Sequence, residues 1–82
     1  MAKTLYVGNL PWESTEEELE KMFAEMTVVE SVRIIRDRET GRSKGFGFVE
    51  LADESNLEEI IASTNGMLMG GRTLVVNEAK QR

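Results

Sequence analysis

Apolar and polar residues alternate along four segments of the chain, a pattern typical of β-strands with one buried face. In the first segment Leu5 and Val7 share one face, and Tyr6 takes the other. A short ribbon at Met67–Leu68 and a turn at Gly70–Gly71 precede the last segment. The alternation predicts strands at Thr4–Gly8, Val29–Arg36, Lys44–Leu51 and Thr73–Val76.

Between these strands, apolar residues recur three and four positions apart, which places them on one face of an amphipathic helix. Ser14 or Thr15 can cap the first helix, since each has a glutamate three residues further on. Asp53 or Ser55 can cap the second helix, and Asn65–Gly66 ends it. The predicted apolar stripes are Leu19, Met22, Phe23 and Met26 in the first helix, and Leu57, Ile60, Ile61 and Thr64 in the second.

The predicted elements follow one another in the order β-α-β-β-α-β. Because strand–helix–strand crossovers are right-handed, both helices lie on the same face of the sheet. We therefore predict an α+β fold, a ferredoxin-like βαββαβ two-layer sandwich in which a four-stranded antiparallel sheet carries two helices on one face. The chain has 82 residues, which suits a single domain over 1–82 with its core at about 3–80.

Composition excludes several kinds of chemistry. The chain contains no cysteine and no histidine, which rules out disulfides, thiolate or imidazole metal sites and catalysis by either side chain. We expect no catalytic residues, no metal and no cofactor. No apolar run reaches the roughly 18 residues of a membrane span, and no secretory leader is visible. We therefore expect no membrane partner and a cytoplasmic location, or a nuclear or organellar one in a eukaryote.

The third predicted strand carries aromatic residues on the face that the helices leave open. If Val49 and Leu51 face the helices, Gly45 and Gly47 do so too, where they leave room for close helix approach. The same alternation places three aromatic rings on the open face of the sheet: Tyr6, Phe46 and Phe48.

Rings on an uncovered face of a small domain usually mark an interaction site. Every nucleobase has a π-face, and stacking on an aromatic side chain contributes about 1–3 kcal/mol per base. The alternative interpretation is that the carboxyl-terminal tail or a second copy of the chain buries these rings.

Two segments carry a family resemblance. Residues 5–10 read LYVGNL and residues 44–51 read KGFGFVEL. They resemble the RNP2 and RNP1 motifs of the RNA recognition motif family, in the family's order and spacing, within a resemblance that runs from about Lys3 to Lys80. It implies the strand order 4-1-3-2 and single-stranded RNA as the partner of a monomer, although stacking alone does not distinguish RNA from single-stranded DNA.

The resemblance also implies roles for individual residues. Tyr6 and Phe48 would each stack on a base, and Phe46 would pack against the sugars between them. Lys44 would contact a phosphate. After the last strand, backbone groups of Asn77–Lys80 would read base edges.

The net charge of −5 hides an uneven distribution. Residues 13–26 and 53–64, which form the predicted helices, hold ten acidic residues and one basic residue, whereas the rest of the chain holds nine basic and five acidic ones. Acids across the sandwich are substantially screened at a Debye length of about 8 Å. The basic residues in or next to the strands and loops of the open side are Lys3, Arg33, Arg36, Arg38, Arg42, Lys44, Arg72, Lys80 and Arg82. Of these, Arg38 and Arg42 lie in the loop after the second strand and are candidates for phosphate contacts. Arg33 on the open face could pair with a phosphate or stack on a base.

Three positions complicate the resemblance. Thr27 stands where a glycine normally ends the first helix, so this turn must close without an easy left-handed residue. Val75 replaces a position that is often basic or polar on the open face. Trp12, just after the first strand, is predicted as a partly buried loop anchor rather than a fourth stacking ring.

Two other functions are compatible with the fold. A protein-binding variant would use the acidic first helix, but such members have degraded aromatic motifs and an Arg-X-Phe loop where this chain has Arg72, Thr73 and Leu74. An acylphosphatase-like hydrolase needs an arginine-bearing phosphate cradle after the first strand, and residues 9–12 offer none. We retain the protein-binding module as the alternative and predict that the chain is not an enzyme.

Overall fold

The structure, a computed structural model, describes residues 4–52 and 57–79. The predicted caps of the second helix, Asp53 and Ser55, lie outside these residues. None of the helices in the two described ranges is long and apolar enough to cross a membrane. The elements in chain order are β1 (Thr4–Gly8), α1 (Glu16–Ala24), β2 (Val29–Arg36), β3 (Ser43–Leu51), α2 (Leu57–Thr64), β4 (Leu68–Met69), β5 (Arg72–Thr73) and β6 (Val75–Glu78).

Four of the strands form an antiparallel sheet in the order β2-β3-β1-β6. Because β6 is the last of these four along the chain, this is the predicted order 4-1-3-2. The two strands that carry aromatic residues, β1 and β3, lie at the centre. Tyr6 on β1 lies opposite Phe48 on β3 and opposite Asn77 on β6.

Both helices pack on one face of this sheet. The buried core consists mainly of Leu5, Val7, Val49, Leu51 and Val76 from the sheet with Leu19, Phe23 and Ile60 from the helices. Each fully buried aliphatic or aromatic side chain of this size stabilises the fold by about 1.5–3 kcal/mol relative to an exposed one. The shared core confirms the predicted two-layer sandwich with both helices on one side.

Helix α1 begins and ends through local hydrogen bonds. Thr15 is its N-cap, because the Glu18 N–H donates to the Thr15 hydroxyl at 3.2 Å and the Thr15 N–H donates to the Glu18 carboxylate at 3.0 Å. At the other end, the Thr27 N–H donates to the Phe23 carbonyl at 3.0 Å, and Glu25 keeps a right-handed backbone. The turn therefore closes without a left-handed residue, as its sequence requires.

The last strand begins later than predicted. Thr73 belongs to a two-stranded ribbon, in which it lies opposite Leu68. The ribbon turns at Gly70 and Gly71, whose φ angles of 59° and 83° suit the central positions of a tight hairpin. Because the Leu74 N–H is bonded to the Met67 carbonyl at 2.8 Å, pairing with β1 starts only at Val75 and extends to Glu78.

Candidate nucleic-acid interface

Three aromatic rings form one cluster on the sheet face opposite the helices, which we call the open face. The centroids of Tyr6 and Phe46 are 5.8 Å apart with the rings inclined by 29°. Phe48 meets both rings edge to face, with centroids 6.1 Å away. All three side chains are partly exposed, unlike the fully buried Leu5, Val7 and Val49 that alternate with them. The structure thus confirms the predicted placement of the rings.

Glycines make this ring cluster possible, although for reasons that differ from our expectation. Gly47 does face the core side, but a Cβ there would meet the backbone of β2, at the Arg33 carbonyl and at the Ile34 Cα, rather than a helix. Gly45 adopts a φ of 90°, which favours glycine whatever the packing. On the open face, a Cβ at Gly8 would lie 2.6 Å from the Tyr6 hydroxyl oxygen. Because glycine has no side chain, it leaves the space that the Tyr6 ring occupies.

Two predicted polar residues share the open face with the rings. Arg33 lies opposite Phe48, and Asn77 lies opposite Tyr6, and directly paired residues in a sheet project to the same side. Both are exposed. Val75, opposite Gly8, is 43% exposed on this face, as predicted.

The loop between β2 and β3 presents the other two predicted arginines. The Asp37 carboxylate accepts hydrogen bonds from the backbone N–H groups of Glu39 and Thr40, at 2.8 and 3.2 Å, and this orders the loop. Arg38 is exposed in it. The guanidinium carbon of Arg42 lies 5.3 Å from the ring centroid of Trp12, within the range of a cation–π contact.

Trp12 corrects one of our predictions. It is not partly buried, since 62% of its surface is exposed. Together with Tyr6, Phe46 and Arg72, it borders a pocket of about 360 Å³, which we call the Trp12 pocket. The sequence placed Trp12 next to the first motif, but only the fold brings it beside Arg72, sixty residues away along the chain.

Arg72 is held in this pocket by a loop residue. Its Nε and Nη2 atoms donate to the Asn9 side-chain oxygen at 3.2 and 2.8 Å. The Asn9 side-chain nitrogen donates in turn to the Thr73 carbonyl at 2.7 Å. Asn9 also adopts a φ of 61°, a left-handed conformation that asparagine tolerates better than most residues. Sequence reasoning placed Arg72 among the basic residues of the open side but gave neither Arg72 nor Asn9 a role in RNA binding.

Arg36 departs from its expected position beside the open face. Its Nη2 donates to Glu16 at the start of α1 at 3.1 Å, on the helix side. Burial raises the pKa of Glu16, but hydrogen bonds from the backbone N–H groups of Ile34 and of Glu16 itself, together with the bond and charge of Arg36, outweigh that effect. The pKa of Glu16 therefore lies below its ordinary value.

Four further basic residues of the predicted open side fall, wholly or with their side chains, outside the described part of the chain. The side chain of Lys44 and the whole of Lys80 lie outside the described residues, as do Lys3 and Arg82. The phosphate contact predicted for Lys44 and the base contact predicted for Lys80 stay predictions. The Ala79 N–H, in the segment predicted to read base edges, donates to the Thr4 carbonyl at 2.8 Å.

The chain is similar in sequence to proteins of a known family. The family model described as RNA recognition motif matches residues 5–75. The 28 kDa chloroplastic ribonucleoprotein of Nicotiana sylvestris is 46% identical over 78 residues, which are 95% of this chain and 28% of that protein. Glycine-rich RNA-binding protein 10 of Brassica napus is 47% identical over 77 residues, 94% of this chain and 46% of its own length. The chain thus spans less than half the length of these relatives.

Solved structures share the architecture. The crystal structure of RNA binding protein PG1 has a TM-score of 0.90 and 44% identity, covering 96% of this chain and 95% of that one. The Sxl-lethal protein/RNA complex has a TM-score of 0.91 and 30% identity, covering 100% of this chain and 49% of that one. The second of these structures contains RNA.

Proposed function

Because the chain belongs to the RNA recognition motif family, we propose that its open face binds single-stranded RNA by stacking bases on the ring cluster. The observation that carries this proposal is the cluster itself, three partly exposed rings in mutual contact on the sheet face that the helices do not cover. The solved structures of two similar proteins, one of which contains RNA, support this proposal.

In this proposal Tyr6 and Phe48 each stack on one base, and Phe46 packs against the sugars between them. The planes of Tyr6 and Phe48 are inclined by 67°. Two bases stacked on these rings would be inclined to each other by a similar angle. Unpaired nucleotides can splay apart in this way, whereas stacked bases in a duplex cannot. The ring geometry therefore favours a single strand as the ligand.

The exposed arginines provide the electrostatic part of the binding. Arg33 beside Phe48 and Arg38 in the loop after β2 are exposed, and neither side chain is hydrogen-bonded to another described residue. We assign both to phosphate contacts, with Arg42, Lys44 and Lys80 as further candidates. Arg36 is excluded from this group because it is bonded to Glu16. Asn77, exposed and opposite Tyr6, would contact a base edge.

The proposal is tested by titrating short single-stranded RNA and DNA into the protein while recording amide chemical shifts. We expect shifts at Tyr6, Phe46, Phe48 and Asn77. Phe48→Ala should weaken binding by about 1–3 kcal/mol, because one stacked base loses its partner, and should leave the domain folded. Val28→Ala is the matched control, since Val28 is 68% exposed, lies outside the open face and should not affect binding.

The same titration tests the alternatives. If Phe48→Ala abolished folding, the ring would belong to the core and the proposal would be wrong. Shifts confined to the acidic helix α1 and to Arg72, with none at Tyr6, would favour the protein-binding module. The parallel DNA titration measures whether the protein prefers RNA. Several relatives are chloroplastic proteins, and for this chain a cytoplasmic, nuclear or organellar location stays a prediction, as does the monomeric state.

A further inference from the structure

The Trp12 pocket lies at one end of the ring cluster and is continuous with it. Its lining includes Tyr6 and Phe46 from the ring cluster together with Trp12, Asn9 and Arg72. Its volume of about 360 Å³ falls in the range of small-molecule sites, about 300–1,000 Å³. We propose that this pocket is an additional base subsite, selective for guanine, for the nucleotide next to those on the ring cluster. This inference rests on the proposed RNA binding.

Trp12 provides the stacking surface of the subsite. A tryptophan that is 62% exposed on a loop does not contribute to the core. It is nevertheless held, because Arg42 from the neighbouring loop lies over its ring. Arg42 does not line the pocket, so its contact leaves the cavity open. A held, exposed indole beside a base-sized cavity suits stacking on a nucleobase, since stacking needs no sequence-specific hydrogen bond.

Arg72 provides the selectivity. Its Nε and Nη2 atoms are bonded to Asn9, which orients the guanidinium group. Among the described residues, its Nη1 group has no hydrogen-bond partner, and Nη2 keeps one further hydrogen. The Asn9 side-chain oxygen accepts both bonds from Arg72, and one of its two amide hydrogens is bonded to the Thr73 carbonyl, which fixes the orientation of the Asn9 side chain. The charged group in the pocket is a guanidinium, which is a hydrogen-bond donor only, and Asn9 acts as its positioning residue.

A donor-only group discriminates between bases. The Hoogsteen edge of guanine presents two neighbouring acceptors, O6 and N7, which arginine contacts in a bidentate manner. Adenine replaces the first acceptor with an amino donor, and cytosine also presents an amino donor on the corresponding edge. Uracil offers the single acceptor O4 there. Guanine is therefore the base that best satisfies Arg72, whereas adenine would face it with a repelling donor.

The experiment uses short oligouridines that contain one purine: guanosine, adenosine, inosine or 7-deazaguanosine. Trp12 is the only tryptophan in the chain, so its fluorescence, excited at a wavelength that tyrosine does not absorb, reports on this pocket. Anisotropy of labelled RNA gives the affinity independently. We expect the guanosine oligomer to quench Trp12 and to bind about tenfold more tightly than the adenosine oligomer. Inosine keeps O6 and N7 and should match guanosine, whereas 7-deazaguanosine lacks N7 and should bind more weakly.

Variants distinguish the recognition of the guanine edge by Arg72 from a general attraction between positive charge and RNA. Arg72→Lys keeps the positive charge but loses the planar fork, and should reduce the preference for guanosine to within about twofold. Asn9→Gly tolerates the left-handed backbone but releases Arg72, and should also reduce the preference. Arg38→Ala is the control, because the loss of a phosphate contact should weaken all four oligomers equally.

Three results would overturn the subsite. One is an unchanged Trp12 fluorescence while the amide signals of Phe46 and Phe48 shift, which would leave the proposed function intact. Equal affinities for guanosine and adenosine oligomers would be the second. The third is an equal weakening of both by Arg72→Lys, which would assign Arg72 to a phosphate. A failure of every oligomer to bind would instead contradict the proposed function itself.

Discussion

The two faces of the sheet use the same strands for opposite purposes. On the covered face Leu5, Val7 and Val49 are fully buried under the helices. On the open face Tyr6 and Phe48, one residue away from them, stay partly exposed beside other rings. Because side chains alternate with a period of two, neighbouring residues of one strand are subject to different requirements. Substitutions on the covered face should therefore change folding, and those on the open face should change binding.

Phenylalanine occurs on both sides of the sheet and allows a direct test. Phe23 of α1 is fully buried in the core, whereas Phe46 of β3 is partly exposed in the ring cluster. Phe23→Ala should reduce the free energy of unfolding by about 3–5 kcal/mol, because it leaves a cavity. Phe46→Ala should reduce it by only about 1 kcal/mol, through lost ring contacts. Urea denaturation measures both values.

The loss expected for Phe23→Ala is a large part of the free energy of unfolding of a typical small domain, which is about 5–15 kcal/mol. If Phe23→Ala does not fold, Phe23→Leu keeps the comparison, with an expected loss below about 1.5 kcal/mol and no effect on RNA binding. Equal losses of stability for Phe23→Ala and Phe46→Ala would contradict the difference between the two faces.

The fold and the ring cluster could be predicted from local information. Alternation decides which residues of β1 and β3 share a face, and the right-handed strand–helix–strand crossovers place both helices on the same side of the sheet. The Trp12 pocket could not be predicted in this way. It depends on the hydrogen bonds between Asn9 and Arg72 and on the contact between Trp12 and Arg42, pairs that are distant along the chain.

Two glycines provide a second test of the difference between the faces, with smaller expected effects. Gly47 on the covered face and Gly8 on the open face each leave space for a different neighbour. A Cβ at Gly47 would meet the β2 backbone, including the Ile34 Cα at 3.0 Å, and backbone atoms cannot move aside cheaply. Gly47→Ala should therefore reduce the free energy of unfolding by about 1–3 kcal/mol. A Cβ at Gly8 would meet the Tyr6 ring, which can rotate. Gly8→Ala should cost less stability and weaken RNA binding by displacing that ring.

Thermal melting and RNA titration of the two variants check this comparison. A loss of binding in Gly47→Ala without a loss of stability would show that the two glycines had been interpreted the wrong way round. The role of Gly47 also illustrates a limit of pattern reasoning. Alternation placed it on the covered face, but its neighbour is the β2 backbone, and the register of β2 shifts between Ile34 and Arg36. Sequence periodicity does not predict such an irregularity.

Substitution of Glu16 gives the smallest expected change in stability. It tests whether the ionised carboxylate at the start of α1 stabilises the contact between α1 and β2. Its carboxylate accepts from the Ile34 N–H at 3.2 Å and from Arg36 at 3.1 Å. Because its pKa is lower in the folded protein than in the unfolded chain, the ionised group stabilises the fold above its ordinary pKa. This contribution is lost as the pH falls through the lower, folded-state pKa.

Glu16→Gln should therefore reduce the free energy of unfolding near neutral pH, by less than about 1 kcal/mol because the Glu16 and Arg36 side chains are 42% and 39% exposed. The difference from the unmodified protein should disappear at a pH below the folded-state pKa, where the carboxyl group is protonated in both states. Glu17→Gln removes the same charge from the same helical turn and is the matched control. Urea denaturation at both pH values measures the effect, and a Glu16→Gln loss that did not vary with pH would exclude a contribution from its charge. RNA binding should be unaffected, since Glu16 lies on the helix side of the sheet.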